Sequence, residues 1–260
     1  MTTIARGLIG QFEVVHALAL RETRTRFGAH QLGYLWALLE PVIMIGTFVI
    51  VFMVANRPAP EGMDLYGFTA TGLVPYLIFS NSLNQVANAI NGNKSLLFYP
   101  RVHILDLVIA RATLEIATYF AIFIVLMGGH ALYHQELNID DPLMVVGGLV
   151  LASLFGTAVG LVFLGLTQYS KLAERIRGPI VRPMFWISGI FFTGQQLPEG
   201  AQNALLVNPL LHTIELTRAG FYKSYDASLA NPTYVAFWIL VPLLVGLLLE
   251  RTARRKIDMT

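Results

Sequence analysis

Long runs of apolar residues, separated by short polar stretches, constrain this chain more than any other feature. A helix that crosses about 30 Å of hydrocarbon needs roughly 20 mostly apolar residues. Only 13% of the 260 residues are charged, whereas a soluble domain carries about 25%. The sequence therefore predicts an all-α polytopic membrane protein with one transmembrane domain over residues 1–260. The six predicted transmembrane helices are 34–56, 65–90, 104–128, 143–169, 179–195 and 234–249.

The distribution of Lys and Arg predicts how these helices are oriented. With six spans, 14 of the 18 cations lie on the side shared by the N-terminus, loops 2–3 and 4–5 and the C-terminus, when Arg182 near the start of the fifth span is counted with loop 4–5. The other side holds Arg57, Arg218 and Lys223, and Arg111 lies within a span. Because short loops rich in Lys and Arg stay in the cytosol, we expect both termini to be cytosolic.

Two segments outside the spans are predicted to be helical. Residues 8–27 place apolar side chains at helical spacing before a basic end, which is typical of an amphipathic helix in the membrane interface. This helix is either a plain anchor or an anchor that also contacts a cytosolic partner. Residues 196–232 contain helical pieces too short to cross, so we expect re-entrant or surface helices on the outer side. The candidate interface residues in the first segment are Arg21, Arg24 and Arg26.

A stripe of amides runs along the second predicted span. Asn81, Asn84, Gln85 and Asn88 share one helix face. Amides are costly in contact with lipid, so the stripe faces either a wet path or neighbouring helices to which it hydrogen-bonds. We name the four as candidate channel-lining residues. On the fourth span, Ala152, Gly156 and Gly160 form a small-residue face that predicts close helix packing.

The cytosolic loop 92–103 combines cations, an apolar patch and a proline. Its sequence NGNKS at 91–95 is not a phosphate-binding P-loop, because Asn88 and Asn93 occupy positions where that motif needs glycine. We therefore expect no nucleotide site in this chain, so an ATPase, if there is one, is a separate chain. The chain has no cysteine and its six histidines form no zinc motif, so no metal site is predicted. Its formal charge of +2 does not suggest nucleic acid as a partner.

Three stretches resemble a known family. They are LALRETRTRFGAHQLGYLWALLEPV at 18–42, LLFYPRVHILDLVIARATLE at 96–115, and ISGIFFTGQQLPEG with NPLLHTIELTRAGFY within 187–222. Together they resemble the permeases of bacterial ABC-2-type capsular polysaccharide exporters. The likeness is greatest to the KpsM subfamily, and O-antigen export permeases are more distant. It covers nearly the whole chain.

The resemblance implies a type V exporter fold in the bacterial inner membrane. It implies a homodimer on two cytosolic ABC ATPase subunits, which bind ATP and Mg, so that no cofactor belongs to this chain. The cargo would be a lipid-linked polysaccharide passing through a channel between the protomers towards periplasmic co-polymerase and outer-membrane export machinery. An ABC-2 exporter of O-antigen, teichoic acid or a drug stays an alternative, and so does an ion-coupled secondary transporter.

The resemblance also assigns contact with the ATPase to the amphipathic helix 8–27 and to a short coupling helix at 92–103. The polysaccharide cargo adds aromatic side chains to the candidate channel lining, because aromatic faces can stack on sugars, although core packing would explain the same residues. The candidate coupling residues are Lys94, Leu96, Leu97, Phe98, Tyr99, Pro100 and Arg101. The aromatic candidates are Tyr76, Phe79, Trp186, Phe191 and Phe192.

Overall fold

The computed structural model describes residues 3–27, 32–60, 62–134 and 139–257, and all regular structure in these ranges is helical. This confirms the all-α prediction for the described part of the chain. The α-helices are α1 Thr3–Phe27, α2 Leu32–Val54, α3 Leu65–Ala87, α4 Ile104–His134, α5 Pro142–Thr167, α6 Lys171–Ile187, α7 Glu199–Leu205, α8 Pro209–Phe221 and α9 Pro232–Ile257. Short 3-10 helices lie at Lys94–Phe98 and Gly194–Gln196.

Three stretches are long and apolar enough to cross a membrane: Ile104–Leu132, Pro142–Thr167 and Pro232–Thr252. They coincide with the third, fourth and sixth predicted spans. Within α2 the described apolar stretch, Leu39–Val54, is shorter. Helix α3 covers most of the second predicted span but is less apolar, since amides and hydroxyls interrupt it. A total of six crossings stays a prediction.

Helices α3 and α5 form the centre of the fold and pack backbone to backbone. A Cβ atom on Gly156 would lie 2.3 Å from the Phe79 carbonyl oxygen, and one on Gly160 would lie 2.7 Å from that of Leu83. Ala152 is fully buried beside them. No larger residue fits at either glycine without moving backbone, so the small-residue face predicted on the fourth span is confirmed.

The fifth predicted span, 179–195, is wrong as a single helix. Helix α6 begins earlier, at Lys171, and ends at Ile187. Gly189 then has φ +83°, a left-handed conformation that favours glycine and cannot continue a helix. Residues 188–193 follow as non-helical backbone, and hydropathy did not predict this break because the segment, SGIFFT, is itself largely apolar.

A fully buried arginine accounts for the stability of the broken segment. The Arg218 guanidinium, on α8, donates to the carbonyl oxygens of Gly189 at 2.6 Å, Ile190 at 2.9 Å and Phe192 at 2.9 Å. It also lies over the ring of Phe68, 4.1 Å from the centroid. Non-helical backbone within a membrane protein persists only where such partners satisfy its carbonyls.

The segment after the break contains short helices, as expected for 196–232. Helix α7 has 7 residues and α8 has 13, and every residue of α8 is buried. Close contact with α5 explains that burial, since a Cβ on Gly148 would lie 2.3 Å from the Thr217 hydroxyl oxygen. Whether α7 and α8 re-enter the membrane stays a prediction.

Candidate coupling surface and transport path

The 3-10 helix Lys94–Phe98 presents two aromatic rings outward. Phe98 is 88% exposed and Tyr99 is 63% exposed, and both stand at the end of the short helix. Leu96 and Leu97 point the other way and pack partly buried against an apolar cluster that includes Ile104. All four side chains are among the candidate coupling residues named from the sequence. In the structure two anchor the segment to the protein and two remain free for a partner.

The remaining candidates of this segment frame the exposed rings. Lys94, Pro100 and Arg101 are exposed and leave the segment flanked by positive charge. The pair Phe98 and Tyr99, together with these three residues, is called the coupling surface below.

Helix α1 is bound to the same region and is longer than predicted, since it begins at Thr3. Arg21 Nη1 donates to Asn93 Oδ1 at 2.8 Å, immediately before the 3-10 helix. Gln11 donates to the buried carboxylate of Asp106, and Leu18 is buried in the apolar cluster that holds Leu96. The amphipathic helix and the coupling surface therefore form one packed unit.

The outer face of α1 is available to other molecules. Ile9, Phe12 and Leu20 are exposed apolar residues on this helix. Arg24 is exposed as well, whereas the side chain of Arg26 lies outside the described residues. Exposed apolar and basic side chains on one helix fit either of the two interpretations of this helix, an anchor or an anchor with a partner.

A buried arginine joins this unit to the centre of the fold. Arg111, on α4, lies 2.8 Å from the Glu22 carboxylate on α1 and donates to the backbone carbonyl of Gln85 on α3 at 2.7 Å. Gly92 lies so close that a Cβ there would be 2.8 Å from Arg111 Nη2. Sequence reasoning missed this connection between three helices, because no local pattern pairs Arg111 with a residue as distant in sequence as Glu22.

The amide stripe divides into two pairs. Asn81 Nδ2 donates to the Tyr119 hydroxyl at 2.6 Å, and Asn88 Oδ1 accepts from Arg177 at 3.2 Å. These two amides join α3 to α4 and α6, which is the interhelical alternative considered for the stripe. Among the described residues the Asn84 side chain bonds only back to its own helix, at Ser80 O, and the side chains of Asn84 and Gln85 are half-buried. Asn84 and Gln85 thus stay the stronger lining candidates.

The aromatic candidates also divide. Phe79 is 0% exposed and its ring stacks on that of Phe155, with 5.0 Å between centroids. It has no surface to offer a cargo, so the structure contradicts its assignment to the lining. Tyr76 and Phe191 are buried and both pack edge-on against Phe185, as core packing would require. The remaining two are Trp186, which is 64% exposed, and Phe192, which is half-buried.

A polar cluster at the other end of α3 was not predicted. The Asp64 carboxylate caps α3 by accepting from Gly67 N at 2.7 Å, and it also accepts from the Tyr222 hydroxyl at 2.8 Å. His130 Nε2 lies 2.8 Å from Asp64 Oδ2. Burial alone would raise the pKa of Asp64, but these hydrogen bonds and the charge of His130 outweigh it, so the pKa lies below its ordinary value.

Comparison with known proteins shows the family of the chain. The model of the ABC-2 type transporter family matches residues 13–222. The chain is 35% identical to the polysialic acid transport protein KpsM of Escherichia coli, with 95% of each chain covered. It is 29% identical to the capsule polysaccharide export inner-membrane protein CtrC of Neisseria meningitidis, over 95% of this chain and 93% of the relative. It is 28% identical to BexB of Haemophilus influenzae, with the same description, over 99% and 97%. The resemblance noted in the sequence is confirmed, and the chain belongs to the ABC-2 type transporter family.

Proposed function

We propose that the chain is the permease subunit of an ATP-driven exporter that moves capsular polysaccharide out of the cytosol across the bacterial inner membrane. The observation that carries the proposal is the likeness to capsule-export inner-membrane proteins over nearly the full length of both chains. A match of this extent includes the coupling surface, the α6 break and α8, and not only the apolar spans.

In this proposal two copies of the chain form the channel, each with six spans and with both termini in the cytosol. Two ATPase subunits bind ATP and Mg, and the cargo is a lipid-linked glycan that passes to export machinery in the periplasm and outer membrane. Helices α7 and α8 re-enter the membrane from the outer side. Three helices of spanning length and the clustering of cations on one predicted side support this topology.

The coupling surface would contact the ATPase. Phe98 and Tyr99 are large, exposed and attached to a short, anchored helix, which suits them to insert into a groove on a partner. Closure of the ATPase would then push on the 3-10 helix. The displacement would reach α1 through Arg21 and Asn93, and it would reach α3 through Arg111.

The polysaccharide would pass along the side chains that keep surface exposed. Asn84, Gln85, Trp186 and Phe192 combine amides with aromatic rings. Neutral hydrogen-bonding groups and ring faces bind sugars weakly at many points, which lets a polymer move without being trapped.

A co-purification experiment tests the coupling assignment. Changing both Phe98 and Tyr99 to alanine removes two side chains of the kind that dominate interfaces, at about 2 kcal/mol or more for a hot-spot residue. We expect the affinity for the ATPase to fall at least about 30-fold. Phe237→Ala, which removes an exposed ring on α9, is the control and should leave the affinity for the ATPase unchanged. If the wild type, the double variant and Phe237→Ala all bind the ATPase with equal affinity, the contact with the ATPase lies outside the coupling surface.

A further inference from the structure

A cavity of about 580 Å³ lies at the end of α3 opposite to the coupling surface. It is bordered by α2, by the start of α3 and by the end of α4. The residues that line it include Val49, Met53, Asp64, Tyr66, Gly129 and His130. Ligand sites in proteins have volumes of about 300–1,000 Å³ and combine mostly apolar walls with a few polar groups. This cavity has the size and the lining of such a site.

The cavity extends from the border of the membrane into its apolar layer. The spanning stretch of α4 ends at Leu132, so His130 lies in the last turn of that stretch. Asp64 caps α3 and therefore lies just beyond that helix. Val49 lies about 7.5 Å from the end of α2 at Val54, at 1.5 Å per residue. A molecule with a polar head and an apolar tail fits this arrangement.

The helices that border the cavity also expose apolar side chains to their surroundings. Ile50 and Val54 on α2 and Ile124 and Val125 on α4 are all exposed. Apolar surface of this extent marks contact with lipid or with another protein. The occupant of the cavity must therefore suit an apolar environment.

The Asp64 carboxylate can accept more hydrogen bonds than the described residues donate to it. Two carboxylate oxygens accept about four hydrogen bonds, whereas three donors of the described chain reach them: Gly67 N, the Tyr222 hydroxyl and His130 Nε2. The Asp64 side chain is 31% exposed, and its lowered pKa keeps it ionised at neutral pH. A cation that donates hydrogen bonds complements this position.

Two aromatic rings stand beside this carboxylate. The rings of Tyr66 and His130 stack with 5.3 Å between centroids, and tyrosine is frequent where lipid meets water. The Tyr66 hydroxyl donates to the Leu126 carbonyl oxygen at 3.4 Å, which is longer than the usual distance of about 2.7–2.8 Å. A charged phosphate oxygen is a stronger acceptor than this carbonyl, so the hydroxyl suits a phosphate near the carboxylate.

We propose that the cavity binds one phosphatidylethanolamine molecule of the surrounding bilayer. Its ammonium binds the Asp64 carboxylate, its phosphate accepts from the Tyr66 hydroxyl, and an acyl chain lies along Val49 and Met53. A lipid whose only charge is its phosphate binds less well, because the ionised Asp64 repels it. The site goes beyond the proposed function and does not depend on the identity of the cargo.

Lipid binding to the purified full chain in detergent micelles tests the role of Asp64. The probes are phosphatidylethanolamine and phosphatidylglycerol with identical acyl chains, and native mass spectrometry measures both the affinity and the number of copies of the chain in each particle. We expect one phosphatidylethanolamine per chain, bound at least tenfold more tightly than phosphatidylglycerol. Asp64→Asn keeps a side chain that can cap α3 and should bring the ratio of the two affinities close to one.

A second variant tests the cavity itself and does not alter the cap of α3. Gly129→Leu places a side chain in the cavity, and Gly128→Leu is the matched control, since Gly129 lines the cavity. At both positions a Cβ atom would meet no atom of the neighbouring described residues within 4 Å, so both variants should fold. Gly129→Leu should weaken the binding of phosphatidylethanolamine at least tenfold, and Gly128→Leu should leave it unchanged.

Several results would overturn the lipid site. Equal affinity of the wild type for the two lipids, or a tenfold ratio that persists in Asp64→Asn, rejects recognition by the carboxylate. Unchanged binding to Gly129→Leu places the lipid elsewhere. If Gly129→Leu alone changes the number of copies of the chain in each particle, a second copy covers the cavity instead of a lipid. The proposed function is tested separately, by export of glycan.

Discussion

Replacing Arg218 with methionine removes the side chain that satisfies the broken backbone after α6. Methionine keeps much of the length and apolar volume of the arginine, so the change mainly deletes hydrogen bonds. Three carbonyl oxygens, of Gly189, Ile190 and Phe192, accept from Arg218 at 2.6–2.9 Å. They lie in a buried segment without helical partners, where each orphaned acceptor costs about 1–3 kcal/mol.

The low end of that range, about 1 kcal/mol for each of three carbonyls, predicts a loss of about 3 kcal/mol in the free energy of unfolding. The buried Glu215 carboxylate adds to the loss, because Arg218 Nη1 lies 3.9 Å from it. It keeps donors in Gly194 N and the Tyr225 hydroxyl, so the total should stay near 3–5 kcal/mol, which is about the cost of breaking a buried pair.

The assay is equilibrium unfolding in mixed detergent micelles, with Arg57→Met as the matched control. Arg57 also donates to this segment, to the Phe191 carbonyl at 3.0 Å, but it is exposed. Because water can replace the Arg57 hydrogen bond, Arg57→Met should lower the free energy of unfolding by much less than Arg218→Met. Similar losses for the two variants would refute the argument that Arg218 supports the break.

Two further predictions concern other parts of the fold. Glu22→Gln removes the charge opposite Arg111, and we expect amide exchange in α1 to accelerate about tenfold, or 1.4 kcal/mol. The exposed Glu13→Gln on the same helix should have no effect, and equal acceleration in both would contradict a specific role for the pair. Because the folded-state pKa of Asp64 is lowered, its stabilising contribution is present at neutral pH and is lost as the pH falls below about 4. The unfolding temperature of the wild type should therefore fall more between about pH 6 and pH 3 than that of Asp64→Asn. If the unfolding temperatures of the two proteins fall in parallel, Asp64 is not a cause of the acid sensitivity.

Sequence patterns predicted those elements whose physics is local. The third, fourth and sixth spans follow from long, mostly apolar runs, and Gly156 and Gly160 reveal close packing because only small residues allow it. The end of α6 at Ile187 could not be predicted from the local sequence. The break depends on Arg218, which belongs to a later helix and satisfies the carbonyls that the break exposes.

The candidate site was predictable as a list of residues but not as a geometry. Leu96 and Phe98 are both apolar and close in sequence, and only the 3-10 helix determines which one packs inward. Phe79 is an aromatic residue of the kind expected to line a path for sugars, but Gly156 lets α5 approach so closely that Phe79 is buried. Trp186 differs from Phe79 in how exposed its side chain is, and that exposure depends on how much of α6 contacts the neighbouring helices.

Transport by reconstituted vesicles is the direct test of ATP-driven export by this chain. The chain and its ATPase would be placed in vesicles with the nucleotide-binding side outward, and lipid-linked capsular polysaccharide would be added with ATP. We expect polysaccharide to accumulate inside only when ATP and the ATPase are both present, and changing Phe98 and Tyr99 to alanine should abolish accumulation. Uptake that proceeds without the ATPase and responds to an ion gradient would contradict it.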